Sequence, residues 1–182
     1  MDSCRLRIGM QASRLVIDDL GRGAATVPTE TCWPVGYANV CPGPFRASPP
    51  TELEIEQAIE TVEDRIMPTL APLLHSPIRP SALRVAITPV TMAGDAVAVS
   101  ASYPLPATLR PNLSIEAIET AFSSLAASAG SRRHLGGDGW SEPSAAAILV
   151  IVRETMHHGG FSQVCFEPEP LEPEPSKAVP AA

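Results

Sequence analysis

The alternation of apolar and polar residues near the start of the chain predicts a hairpin of two strands. The two segments are residues 5–10 and 14–19, and in the second of them Leu15 and Ile17 alternate with Arg14, Val16 and Asp18. A period of two is typical of a strand with one buried face. We therefore expect a half-buried hairpin at this end of the domain.

A second hairpin is predicted further along, from residues 83–88 and 96–103, with a glycine-containing turn between them. The connection is too short for a parallel crossover, so this pair should be antiparallel. Residues 161–166 predict a short final strand. Between the first hairpin and the rest, residues 28–50 hold so many prolines that we expect a long irregular loop.

A change to helical spacing predicts three helices. The first begins at Thr51, since Thr51 and Glu54 form a capping box, and Pro68 and Pro72 should end or kink it. Its expected core positions are Leu53, Ile59, Val62, Ile66 and Leu70.

The second helix is capped by Asn112 or Ser114 and is closed by Gly130. Its apolar stripe is Ile115, Ile118, Phe122 and Leu125.

The third helix is expected from a cap at Ser141 to the glycine pair that follows His158. Its middle, residues 148–152, is rich in β-branched side chains and is also compatible with a buried strand. The preceding alanines, residues 145–147, favour the helix.

These elements predict one α+β domain over residues 1–166, a mostly antiparallel sheet with two or three helices packed on one face. Residues 167–182 repeat Glu-Pro and should form a disordered tail. A hydrophobic content of 45% over 182 residues is sufficient for a single sizeable core.

Charge and composition exclude several partners. The net charge of −7 disfavours binding to nucleic acid or an anionic membrane, and only 4% of residues are aromatic side chains that might stack on bases. No apolar run approaches a membrane span or signal peptide, so a cytoplasmic location is expected. Four scattered cysteines indicate free thiols, with a bridge or shared metal at Cys32 and Cys41 as the alternative.

Candidate metal ligands occur at the end of the third helix. Glu154, His157 and His158 are spaced so that a helix projects them from one side, and a Glu-x-x-His pair is a component of carboxylate-bridged metal sites. This spacing predicts a transition-metal site in a metal-dependent enzyme or metallochaperone. In the alternative interpretation, the two histidines only interact with the helix dipole.

Candidate anion-binding residues precede the same helix. Arg132 and Arg133 are followed by a glycine-rich turn, so a small anion would meet two cations and the helix N-terminus. The spacing of a phosphate-binding loop is absent, and the turn is also explained as a linker.

An acidic stripe on the first helix is the third candidate, and it consists of Glu52, Glu56, Glu60 and Glu63. It is either a docking face for a protein partner or a solvated surface. Because no catalytic motif is recognisable, the leading expectation is a non-catalytic accessory or assembly protein that binds a protein partner and needs no cofactor. Association between copies of the chain is left open.

Overall fold

A computed structural model describes residues 3–18, 29–74, 82–87, 112–129 and 142–167. Its elements, in chain order, are β1 Ser3–Ile8, β2 Ser13–Asp18, β3 Thr29–Trp33, α1 Glu52–Leu74, β4 Ala82–Ile87, β5 Asn112–Ser114, α2 Ile115–Ala129, α3 Pro143–Gly159 and β6 Gln163–Glu167.

The strands form a single sheet in the order β3-β2-β1-β4-β6-β5. The pairs β1/β2, β2/β3 and β5/β6 are antiparallel, whereas β4 is parallel to both β1 and β6. The α+β prediction is confirmed, but the expectation of a mostly antiparallel sheet is corrected to a mixed one. Helices precede β4 and β6 and return the chain to the edge at which β1 begins, which makes the central strands parallel.

The first hairpin is confirmed, with Leu6 opposite Leu15 and Arg7 opposite Arg14. Its turn is closed by the amide of Gly9, which donates to the carbonyl of Ala12 at 2.9 Å. For the second predicted hairpin the structure describes one strand, β4, and residues 96–103 lie outside the described residues.

Strand β3 corrects the prediction of an irregular loop over the whole of residues 28–50. It pairs with β2, and its last residue, Trp33, is buried and donates from Nε1 to Oγ1 of Thr69 on α1 at 3.1 Å. The prolines that bound this short segment obscured it, because proline is excluded from central ladders but tolerated just outside a strand. Residues 34–50 form no helix or strand apart from an isolated bridge between Cys41 and Gly43.

Helix α1 begins with the predicted capping box. The amide of Glu54 donates to Oγ1 of Thr51 at 3.3 Å, and the amide of Thr51 donates to Oε2 of Glu54 at 2.8 Å. The expectation that Leu53 faces the core is wrong, since Leu53 is 62% exposed while Ile55 and Ala58 are buried. The core stripe begins two residues later than predicted, because capping orients the first turn towards solvent.

The expectation that Pro68 and Pro72 end or kink α1 is corrected as to the ending, because the helix continues through both prolines to Leu74. Its buried face includes Val62, Ile66 and Leu70. This packing compensates for the hydrogen bonds that proline cannot donate within a helix.

Helices α2 and α3 have clear caps. Oγ of Ser114 accepts from the amide of Ala117 at 3.3 Å, which selects Ser114 of the two predicted caps of α2. For α3 the helix is confirmed over the alternative strand, but its cap is Glu142, whereas Ser141 lies outside the described residues. The carboxylate of Glu142 accepts from two helix amides, and Gly160 ends the helix in the left-handed conformation.

The core lies around α3, whose residues 145–152 are all buried. A helix that is apolar on every side must be covered on every side, and α3 contacts both α1 and α2. Facing these helices, β1 buries Cys4, Leu6 and Ile8, which share one face of the sheet. No helix in the described part of the chain is long and apolar enough to cross a membrane.

Candidate functional site

The predicted ligands at the end of α3 meet a residue of α1. Nε2 of His158 lies 2.9 Å from Oε1 of Glu63 and 3.5 Å from Oε2 of Glu154. One ligand atom from each of these three side chains lies within 4.8 Å of the others. We call Glu63, Glu154 and His158 the helix-end cluster.

Glu154 is the buried member of this cluster, with 1% of its surface exposed. Burial raises the pKa of its carboxyl group, because desolvation penalises the charged form, while the neighbouring Arg153 acts in the opposite direction. An NH1 hydrogen bond from Arg153 to Oε1 of Glu154 holds the carboxylate in place. The other oxygen, Oε2, is the one nearest to His158.

Arg153 connects the cluster to α2. Its Nε donates to Oε2 of Glu119 at 3.0 Å, and its guanidinium lies 4.3 Å from the centre of the Phe122 ring. Burial tends to lower the pKa of Arg153, but the hydrogen bond to Glu119 and the charge of Glu154 outweigh it and raise the pKa. Arg153 therefore remains a cation that is shared between two carboxylates.

The structure separates the remaining predicted ligand from this cluster. His157 is exposed, and its ring meets the ring of His158 edge-on at 5.1 Å between centroids. The sequence predicts Glu154, His157 and His158 as metal ligands. The structure instead brings together Glu154, His158 and Glu63, and His157 is not part of the group.

Glu63 also differs from the other residues of the predicted acidic stripe. Glu52, Glu56 and Glu60 are exposed, whereas Glu63 is half-buried and turned towards α3. The sequence holds a signal for this orientation. Glu63 follows Glu60 by three residues rather than four, and it precedes the core residue Ile66 by three, so it lies on the side of α1 nearer to the core. Partner binding by the stripe stays a prediction.

A second region lies at the opposite edge of the sheet, where the turn between β1 and β2 is held by residues 36–39. The amide of Tyr37 donates to the carbonyl of Gly9 at 3.1 Å, and the amide of Ala38 donates to the carbonyl of Met10 at 2.9 Å. A Cβ atom at Gly36 would lie 2.3 Å from the Gly9 carbonyl oxygen. Glycine is therefore required at residue 36 for this close approach of two backbones.

Two arginines flank this turn on the face of the sheet away from the core. Arg7 at the end of β1 is directly opposite Arg14 on β2, and Nε of Arg14 lies 2.8 Å from Oε1 of Glu30 on β3. Like charges directly opposite one another on a sheet are unfavourable unless an anion lies between them. We call Arg7 and Arg14 the arginine pair.

This edge is formed by the carboxyl ends of the parallel strands, where open sheets bind their ligands. Helix α3 leads into β6 at its C-terminus, so its N-terminus lies towards the same edge. Two amides at that N-terminus, those of Ser144 and Ala145, already donate to Glu142. The predicted anion ligands Arg132 and Arg133 lie outside the described residues.

The fold belongs to the class of open mixed sheets that are packed against helices. It is similar to solved structures of the Aquifex aeolicus PPX-GPPA enzyme, at 17% identity and a TM-score of 0.55, with 92% of this chain and 54% of that chain covered. It is also similar to the type II variant of the Aquifex aeolicus Ppx/GppA phosphatase, at 16% identity and a TM-score of 0.53, over 92% of this chain and 53% of that one.

A third similar structure is an exopolyphosphatase-like protein, at 10% identity and a TM-score of 0.53, with 92% of this chain and 55% of that chain covered. The chain therefore spans about half the length of these proteins. No family model and no curated protein matches the sequence.

These comparisons contradict the prediction of a non-catalytic accessory protein. The three similar structures are described as a PPX-GPPA enzyme, a Ppx/GppA phosphatase and an exopolyphosphatase-like protein. The prediction is therefore wrong, and the alternative of an enzyme agrees better with the fold. Local sequence patterns do not reveal this fold, because it depends on strand order, and neither β3 nor the parallel pairing of β4 has a local signature.

Proposed function

We propose that this chain is a phosphatase-type enzyme that acts on a phosphate anhydride or ester, with polyphosphate as the substrate class to test first. The observation that carries the proposal is the fold shared with Ppx/GppA structures over 92% of the chain.

The substrate phosphate is proposed to bind at the arginine pair. Guanidinium groups form paired, charge-assisted hydrogen bonds with phosphate oxygens. Arg7 and Arg14 are opposite each other at the carboxyl end of β1, and a phosphate between them would relieve the repulsion that Glu30 relieves from one side. The side chain of Arg14 is 53% exposed, so a substrate from solvent has access to it.

The proposed catalytic contribution of this pair is electrostatic. Phosphoryl transfer spreads negative charge over the oxygens of the transferred group, and fixed cations stabilise that charge in the transition state. The tight backbone contacts between residues 36–39 and the β1–β2 turn support the proposal, because they hold the end of β1 in one conformation.

The test is release of inorganic phosphate from polyphosphate by the intact chain, compared among three variants. Arg7→Gln and Arg14→Gln each remove one cation, and we expect kcat to fall by about 100-fold, the typical cost of one stabilising donor. Arg65→Gln is the matched control, because Arg65 is an exposed arginine on α1. Phosphate release no faster than the uncatalysed rate would overturn the enzyme proposal, and equal rates for Arg14→Gln and Arg65→Gln would overturn the site.

A further inference from the structure

We propose that the helix-end cluster of Glu63, Glu154 and His158 is a binding site for one divalent transition-metal ion that ties α1 to α3. Its donor atoms are one imidazole nitrogen and two carboxylate oxygens, within 4.8 Å of one another. Such a mixed nitrogen and oxygen set suits zinc and its neighbours in the first transition row. The proposal is independent of the phosphatase activity.

The charges around the cluster supply a separate argument. Glu119 and Glu154 both contact the guanidinium of Arg153, whereas Glu63 contacts His158. With His158 neutral, the three carboxylates and the one guanidinium carry a net charge of −2. A buried carboxylate is stable as an anion only with a compensating cation. A divalent ion would neutralise the group.

Two of the three ligands, Glu154 and His158, are held in position by neighbouring residues. Arg153 holds Oε1 of Glu154, so the second oxygen is left facing His158. Partners that orient a ligand in this way are typical of metal sites in proteins. The left-handed cap at Gly160 and the buried Met156 anchor the last turn of α3, from which His158 projects. The ion would replace the direct contact between His158 and Glu63.

The location of the cluster argues for a structural role. Helix α3 ends just before β6 begins, so His158 lies near the amino-terminal edge of the parallel strands. The arginine pair lies at the carboxyl edge, where Arg7 is followed by the β1–β2 turn. An ion bound to Glu63, Glu154 and His158 would therefore connect two helices of the core and would not contact a phosphate at that turn.

The test is a titration of the metal-free chain, prepared without a histidine tag, with Zn²⁺ followed by calorimetry and with Co²⁺ followed by its visible absorption. We expect one equivalent to bind and the thermal midpoint to rise, since an ion that binds only the folded state stabilises it. Loss of a residue that merely orients a ligand lowers metal affinity by roughly 10–100-fold, so Glu63→Gln and His158→Gln should each lower it at least as much.

Matched controls are available on both helices. Glu60→Gln removes an exposed carboxylate one turn from Glu63, and His157→Gln removes the exposed histidine beside His158, so both should bind the ion as the unchanged chain does. Glu63 is itself 41% exposed, so its replacement should leave the fold intact. No stoichiometric binding, or equal affinity in Glu63→Gln and Glu60→Gln, would overturn the metal site and leave the phosphatase proposal unaffected.

Discussion

At the scale of single residues, the stability of the helix layer depends on how the charge of Glu154 is compensated. The carboxylate is 1% exposed, and Arg153 is the cation that contacts it directly. Removing one partner of a buried pair leaves the other charge without compensation and typically costs 3–5 kcal/mol. We expect Arg153→Met to destabilise the chain by about 3 kcal/mol in denaturant unfolding.

The loss of stability caused by Arg153→Met should depend on pH. Because the pKa of Glu154 is raised, the folded chain holds that proton more tightly than the unfolded chain does. Stability from the protonated group is present at low pH and is lost as pH rises through the raised pKa. The destabilisation by Arg153→Met should therefore be smaller at acidic than at neutral pH. The double variant Arg153→Met, Glu154→Gln should be more stable than the single variant at neutral pH, and the opposite order would contradict this account.

At the scale of elements, α1 offers a direct test of helix register. Ile55 is 4% exposed and faces the core, whereas Leu53 is 62% exposed although it lies two residues away on the same helix. Ile55→Ala should cost about 2–5 kcal/mol through lost burial and a residual cavity. Leu53→Ala should change the free energy of unfolding by less than about 0.5 kcal/mol. A large loss for Leu53→Ala with a small one for Ile55→Ala would contradict the register.

The sequence predicts elements well where a local chemical signal marks them. The capping box at Thr51, the cap at Ser114 and the glycine pair after His158 predict helix ends that the structure confirms. The sequence does not predict an element whose formation depends on tertiary packing. The short strand that ends at Trp33 is stabilised by pairing with β2 and by contact with Thr69 on α1, and neither contact has a local signature.

In the candidate sites, too, local spacing is predictable from the sequence and tertiary contacts are not. Glu154 and His158 are predictable because helical spacing places them one turn apart. Glu63 is 95 residues from His158 along the chain, so their contact depends on how α1 packs against α3. The pairing of Arg7 with Arg14 depends in turn on the hairpin register, which the length of the turn between β1 and β2 determines.

At the scale of the whole molecule, the two proposed sites lie at opposite edges of one sheet. The arginine pair and the β1–β2 turn occupy the carboxyl edge, and the helix-end cluster lies near the amino edge within the helical layer. The two proposals thus place phosphate recognition on the sheet and metal binding between the helices. A chain with both proposed sites would differ from a protein with a single metal-phosphate centre, in which the ion and the phosphate share ligands.

Binding of a phosphate compound at the carboxyl ends of the parallel strands can be measured through amide chemical shifts. Tripolyphosphate added to the metal-free, nitrogen-15-labelled chain should shift the amides of residues 7–14 and 36–39, and should leave those of residues 156–160 unchanged. Arg14→Gln should suppress these shifts and Arg65→Gln should preserve them. Shifts concentrated at residues 156–160, or none at residues 7–14, would contradict the account.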